Sequence, residues 1–557
     1  VPLALLAGLV FVNALDNPFV YDDLVTVVGN PSIRELGNLK AIVLHDVFRP
    51  VVNLSYAVDH ALWGLEPFGF HVTNVLLHMA NVVLLFVVAL GVDRDWRRLQ
   101  GLDDHGGAVT ALMAGALYAV HPVMTEAVGY VSGRSELLCT LFLLLGMISL
   151  RRFLLAGGWR PLAGGLLCFG LATASKETGA MLPVLMLAYD HLLLDGQGRR
   201  TRVLRLHLPL VGFVLLAGGL RVAVYLGVEQ GGLVQDLWHN ALVEAVAVWR
   251  YPALLVLPVG QSLVHSARTI ESVLDPAFLA SAVAFALLLV GLWRLRTKAP
   301  IEVFGVVWFL LLTAPSHAIP LQEAVAEHRI YAASGGLFLA AASAARRLGA
   351  WAATRSLGPR WAGASIVLVV VAVLAALTVA RNRVWADPVT LWADAARKAP
   401  DTWAANYGLA EAQRQAGRCP DALPSFRRAI GLLPDRLEPY LNAGICEAEL
   451  GRFDEARRLF EAVLARAPGN PKALNNLGTL AAREGRYDVA RDRFLNALES
   501  DPANIRSRQL LAQLYELAFG DAERALQLCR EIESLAPGTP GVAECLERNA
   551  RRVSASD

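Results

Sequence analysis

The sequence predicts an all-α protein, a polytopic helical membrane domain of about 11 spans followed by a C-terminal α-solenoid, and three observations predict it. Of the 557 residues, 55% are hydrophobic and 18% charged, a balance too apolar for one or two ordinary soluble domains. Apolar runs of bilayer-crossing length are separated alternately by weakly charged and by basic loops. Beyond Arg381 those runs stop, and Ala, Leu, Arg and Glu alternate at helical spacing with a fixed repeat. The formal net charge of +2, with Lys and Arg in short separate clusters, argues against a nucleic-acid partner.

The opening VPLALLAGLVFVNAL has no basic leader and no small-residue cleavage site before Asp16, so it reads as an uncleaved first span, 1–15. Further spans are expected near 71–92, 106–122, 135–153, 160–175, 177–194 and 206–227. With the N-terminus inside, every basic loop between them falls inside, as the positive-inside rule requires: Arg94, Arg97 and Arg98, then Arg151, Arg152 and Arg160, then Arg199, Arg200, Arg202 and Arg205. A full span at 236–258 would put Arg294, Arg296 and Lys298 outside, so this stretch, with Arg250 and Pro252 in its interior, is expected to be re-entrant or interfacial. Spans near 276–296, 301–316, 330–346 and 361–380 complete the set, with Arg346, Arg347, Arg355 and Arg360 inside. The expected placement is a multi-pass inner (plasma) membrane protein, N-terminus cytoplasmic and C-terminus periplasmic.

In the last quarter Pro434, Pro468 and Pro502 recur every 34 residues, and Phe426, Phe460 and Phe494 keep that interval, as do Gly417, Gly451 and Gly485. This is the tetratricopeptide (TPR) period, with small Ala422, Ala456 and Ala490 where helices approach closely. A fourth unit with one extra residue runs through Gly520, Ala525 and Pro537. The expected domains are a membrane domain at 1–380, a connecting helix or half-repeat at 381–402, repeats at 403–436, 437–470, 471–504 and 505–540, and a terminal helix and tail at 541–557. Stacked units offer a concave surface for extended peptide or another protein. Six cysteines, Cys139, Cys168, Cys419, Cys446, Cys529 and Cys545, form no CxxC pair and lack the density of a disulfide scaffold. Cys139 and Cys168 lie in apolar runs and read as small buried hydrophobes.

The longest outside loop, 16–70, is where chemistry is expected, because short connections would suffice for folding. Asp22 and Asp23 stand there within a few residues of the first span. A paired carboxylate can act as a general base, one Asp taking a proton while the other orients it, although a DD pair alone is more often a solvated loop or helix cap. Its weight rises because other outside loops carry ionisable groups hard against apolar spans: His121, Glu126 and Arg134, then Lys176 and Glu177, then Glu327, His328 and Arg329. Carboxylates beside Arg and Lys suit cleavage of a sugar-phosphate bond, with cations on the leaving phosphate and a carboxylate deprotonating the incoming hydroxyl. An ion pair at a helix end is the competing reading for each residue. No group has metal-ligand spacing strong enough to predict a metal, and no cofactor beyond the donor substrate is predicted, a need for metal staying open.

The segments FVYDD at 19–23, RPVVNLSYAVDHALWGLEPFGFHVTNVLLH at 49–78, YAVHPVMTEAVGYVSGRSELL at 118–138, ASKETGAMLPVLMLAYD at 174–190, EHRIYAASGG at 327–336 and WADPVTLWADAARKAPD at 385–401 together resemble the transmembrane and TPR-containing protein O-mannosyltransferases, in a bacterial form. The resemblance implies a GT-C membrane fold and an inverting enzyme that moves a sugar, mannose being expected, from a polyprenyl-phosphate donor to Ser or Thr hydroxyls of extracytoplasmic proteins. It implies Asp22 as base with Asp23 as its partner, the two being exchangeable, and Arg329 against the lipid phosphate. Arg49, His121, Glu126, Arg134, Lys176, Glu177 and Glu327 match family segments as donor- or substrate-binding candidates. His328 departs from the simpler ER pattern of the family. Two other readings stay open: a GT-C enzyme acting on an envelope glycan or lipid, and a non-catalytic membrane-anchored TPR scaffold.

Overall fold

The structure, a computed structural model, describes residues 1–101, 107–224, 237–266, 268–317, 323–355 and 362–556, and every regular element among them is helical. The chain divides into two compact units, Val1–Asp394 and Ala395–Asp557.

The first unit comprises α1 (Pro2–Phe11), α2 (Leu39–His45), α3 (Pro50–Trp63), α4 (Pro67–Leu99), α5 (Gly107–Val120), α6 (Met124–Val128), α7 (Arg134–Ala156), α8 (Trp159–Thr173), α9 (Leu182–Leu193), α10 (Arg199–Arg202), α11 (Leu208–Val224), α12 (Leu237–Ala247), α13 (Arg250–Val256), α14 (Pro276–Leu295), α15 (Pro300–Thr313), α16 (Tyr331–Thr354), α17 (Ala362–Trp385) and the start of α18 (Pro388–Lys398). Each expected span falls on a helix, with residues 106, 225–227, 236 and 361 of the expected ranges, and 557 of the tail, lying outside the described residues. By length and composition, six helices among the described residues are long and apolar enough to cross a bilayer; Pro2–Ala14 and Gly107–Val120 are shorter apolar helices. Close helix contact depends on missing side chains. A Cβ on Gly305 would stand 2.2 Å from the Gly336 carbonyl oxygen, so α15 and α16 touch backbone to backbone.

Two stretches add detail to the expected spans. The helix expected to end near residue 92 continues to Leu99, because its charges are satisfied without leaving it. Asp95 receives Arg151 Nη2 at 2.6 Å and the Tyr189 hydroxyl at 2.6 Å, while Asp93 receives Arg97 Nε at 2.6 Å. The 236–258 stretch is two helices, α12 and α13, broken at Val248–Trp249. Glu244 on the first is buried against His317 at 2.5 Å, and Arg250 on the second is exposed and bonds the Gly260 carbonyl.

The expected boundary at 380 falls inside α17, whereas the compact unit runs on to Asp394. Several contacts hold that stretch, among them Trp385, fully buried with its ring 5.8 Å from Tyr130, Trp392, which meets Tyr21 at 5.6 Å, and Arg381, which pairs with Asp394 at 2.6 Å.

The second unit is four helix pairs: α19 (Trp403–Gln415) with α20 (Cys419–Leu432), α21 (Glu438–Glu449) with α22 (Phe453–Arg466), α23 (Pro471–Arg483) with α24 (Tyr487–Ser500), and α25 (Ile505–Leu514) with α26 (Ala522–Leu535), closed by α27 (Val542–Ser556). The recurring Gly417, Gly451, Gly485 and Gly520 all have φ near +70°, where side chains are disfavoured, and turn the chain between paired helices. Phe460 packs on Gly444 and Phe494 on Gly478, where a Cβ would come within 2.5 Å of the ring. The extra residue of the fourth unit is taken up by a π-turn at Tyr515–Phe519, the usual way a helix absorbs one insertion. Disulfides tie Cys419 to Cys446 and Cys529 to Cys545. Their sequence separations of 27 and 16 leave no close cysteine pair in the sequence to mark them.

Candidate active site

After α1 the chain turns sharply at Tyr21, whose φ of +53° is unusual for a bulky residue and costs on the order of 1–3 kcal/mol. The surroundings hold it there: the Tyr21 hydroxyl donates to Glu323 Oε1 at 3.2 Å, and the Asp22 amide donates to the Tyr130 hydroxyl at 3.1 Å. The turn separates the two aspartates. Asp22 is exposed and lines a cavity of about 370 Å³. Asp23 is fully buried, its Oδ1 accepting the Ser132 amide at 2.7 Å and hydroxyl at 2.6 Å, its Oδ2 accepting the Val20 amide at 3.2 Å. Burial, outweighing those bonds, raises its carboxyl to about 7.

The same cavity takes Arg49 at the start of α3, Lys176 and Glu177 from the turn after α8, and His328 and Arg329 from the turn before α16. Its wall is stiffened by amides from the 16–70 loop: Asn30 donates to Asn53 Oδ1 at 2.8 Å, and Asn53 donates to the Ile42 carbonyl at 2.6 Å. The cations differ in how far they are already committed. Lys176 Nζ lies 2.5 Å from buried Glu136. Arg49 faces Glu177 at 3.6 Å, both about half exposed. Arg329 donates Nη1 to the Glu323 carbonyl oxygen at 2.7 Å and makes no ion pair among the described residues, so its charge is available to an anion.

Of the eleven residues singled out from the sequence, Asp22, Arg49, Lys176, Glu177, His328 and Arg329 meet in this cavity, and five do not line it. Arg134 is fully buried, paired with Asp59 at 2.5 Å and bonded to Asn74 and the Phe70 carbonyl, its guanidinium 4.9 Å above the Tyr56 ring. It fastens α7 to α3 and α4. His121 bonds the Leu255 carbonyl and the Val123 amide. Glu327 accepts from Gln261, Ser262 and His265. Asp23 lies behind Asp22, and Glu126 lies behind His328, 2.5 Å from its Nδ1. Sequence reading missed Tyr130 and Ser132, which hold the aspartates, and Glu323, which anchors Tyr21 and Arg329; none of these stands in a pattern of its own.

The model for dolichyl-phosphate-mannose-protein mannosyltransferases matches residues 105–223. Tetratricopeptide-repeat models match 374–436, 441–505 and 476–540. A protein O-mannosyl-transferase of Caenorhabditis elegans is 25% identical over 448 residues, covering 76% of this chain and 61% of that one. The protein O-mannosyl-transferases Tmtc1 of Drosophila melanogaster and TMTC4 of Homo sapiens are 34% and 35% identical over 31% and 25% of this chain, and over 20% and 21% of their own. The chain thus spans 61% of the worm protein's length and about a fifth of the other two. Among solved structures, that of MamA protein shares 18% identity over 26% of this chain and 80% of its own, at a TM-score of 0.24.

Proposed function

We propose, from the premise that the chain belongs to the family of TPR-containing protein O-mannosyltransferases, that it is an integral-membrane glycosyltransferase moving mannose from a polyprenyl phosphate to Ser or Thr hydroxyls of extracytoplasmic proteins. The observation that carries this is the meeting of Asp22 and Arg329, far apart in the chain, on the wall of one cavity. An exposed carboxylate and a guanidinium without an ion pair among the described residues, on the wall of one cavity, are the minimum an inverting transfer requires.

In this reading the donor phosphate sits against Arg329 and Arg49. The acceptor hydroxyl attacks the anomeric carbon from the opposite face as Asp22 takes its proton. The bond from that carbon to the phosphate oxygen breaks, its electron pair passes to the phosphate, and the cations hold the charge that develops. Asp23, held by Ser132 and Val20, acts as a positioning residue for the turn that carries Asp22. No nucleotide loop is called for, because the leaving group is the lipid phosphate itself. The solenoid disulfides support an extracytoplasmic placement of the repeats, since such bonds persist in oxidising compartments.

The test uses the full chain in vesicles with polyprenyl-phosphate mannose and a Ser/Thr peptide. Asp22→Asn should lower the transfer rate by about 10²–10⁴-fold, the usual worth of a general base, with the melting temperature unchanged. A fully active Asp22→Asn would remove the assignment.

A further inference from the structure

The wall of the cavity contains a second proton-bearing group that base catalysis by Asp22 leaves unused. His328 is 25% exposed at the cavity, and its Nδ1 lies 2.5 Å from Oε1 of Glu126, itself 4% exposed. The other carboxylate oxygen, Oε2, accepts the Glu327 amide at 3.2 Å. A proton on Glu126 therefore belongs on Oε1, aimed at Nδ1, and an imidazole that accepts at Nδ1 must carry its own proton on Nε2. Nε2 makes no hydrogen bond among the described residues.

Burial and a charged neighbour keep that proton on Glu126. Glu327 receives three donors, Gln261, the Ser262 amide and His265, at 2.7–3.0 Å, and so holds its negative charge close by. Burial first, then the Glu327 charge, raise Glu126 above the usual carboxylate range, against weaker pulls from His265 and Arg381. Glu323, Tyr21 and Tyr251 also face it. His328 is held down to about 3 by burial and then by Lys176, with Arg329 and Arg49 adding and Glu136 opposing. The pair is therefore neutral, an acid leaning on an imidazole. The cations that disfavour His328 as a base place it on the phosphate side of the cavity.

We infer that His328, backed by Glu126, is a further catalytic residue that hydrogen-bonds the departing lipid phosphate through Nε2 and hands it the proton held in reserve on Glu126. This rests on the transferase reading above. As the bond from the sugar to oxygen breaks, the phosphate oxygen gains an electron pair and a second negative charge. Nε2 gives it a proton while Glu126 gives its own to Nδ1, leaving the Glu126 carboxylate, a neutral His328 protonated at Nδ1, and a monoanionic polyprenyl phosphate. Asp22 releases the acceptor's proton to water. Water returns one to Nε2, which drives the Nδ1 proton back to Glu126. Each turnover thus ends with two carboxyl groups as they began and the product one charge less firmly held by the arginines.

The experiment has a binding arm that requires no turnover. Farnesyl phosphate is titrated into the full chain in detergent micelles near pH 7. His328→Phe should bind it at least tenfold more weakly, whereas Glu126→Gln, whose amide still donates to Nδ1 and preserves the Nε2 proton, should bind it within about twofold of the unaltered chain. In the transfer arm with polyprenyl-phosphate mannose, the unaltered chain should lose rate as pH rises through the Glu126 titration. Glu126→Gln should be slower and lack that alkaline limb. Equal farnesyl phosphate binding by His328→Phe, or an unchanged alkaline limb in Glu126→Gln, would overturn the inference. Absence of transfer by the unaltered chain overturns the transferase reading instead, and the binding arm still decides the His328 contact.

Discussion

At the residue scale, two adjacent aspartates do different work because one backbone angle separates them. Tyr21 at φ +53° sends Asp22 to the cavity and Asp23 into the core. Asp23→Ala would leave the Ser132 amide without its acceptor, a loss of about 1–3 kcal/mol, visible as a lower melting temperature; Asp23→Asn keeps an acceptor and should lose less. The pH dependence has a definite sign. With its folded value raised to about 7 from an ordinary 3.8, Asp23 contributes stability that is complete below the unfolded value and lost as pH rises through the folded one. Between about pH 4 and pH 8, thermal melts of the unaltered chain should therefore decline more than those of Asp23→Asn. Arg134 marks the opposite case, a charge chosen from sequence as substrate-binding and found as a clamp. Arg134→Met leaves Asp59 charged and buried, and breaking such a pair costs about 3–5 kcal/mol, so the variant should fail to accumulate or melt early rather than show altered substrate binding alone.

At the element scale, the repeats show how a fixed period tolerates a flaw. The fourth unit carries one residue too many, and the π-turn at Tyr515–Phe519 absorbs it so that Ala525 still packs beside Phe494. The two disulfides close separations of 27 and 16 residues. Cys419→Ser is expected to destabilise the solenoid by about 2–4 kcal/mol, read as an earlier unfolding transition of the second unit. In non-reducing denaturant only Cys139 and Cys168 should react with a thiol reagent, a count that mass spectrometry gives directly. The membrane helices follow a different logic, in which small residues such as Gly305 and Gly336 bring backbones together. The α4 helix adds a second device, holding Asp93 and Asp95 by pairing them with Arg97 and Arg151.

At the scale of the whole molecule, function depends on which side of the bilayer each unit meets. A protease-cleavable tag fused after Asp557 should be cut in intact spheroplasts if the repeats lie outside, and spared if they lie inside. Local pattern was enough to find the helices, because apolar runs and a 34-residue period are properties of neighbouring residues and need no partner. It also reached part of the candidate site, since Asp22, Arg49, Lys176, Glu177, His328 and Arg329 stand in segments resembling a family. What no local pattern carried was side-chain destination: whether a charge turns into the cavity, as at Asp22, or into a buried pair, as at Arg134 and Glu126. That choice rests on contacts with distant elements, Tyr130 and Ser132 for the aspartates, Asp59 for Arg134, and Glu327 for Glu126. Burial of a charge depends on desolvation by the surrounding fold, so only the packed structure decides which of these groups a substrate can reach.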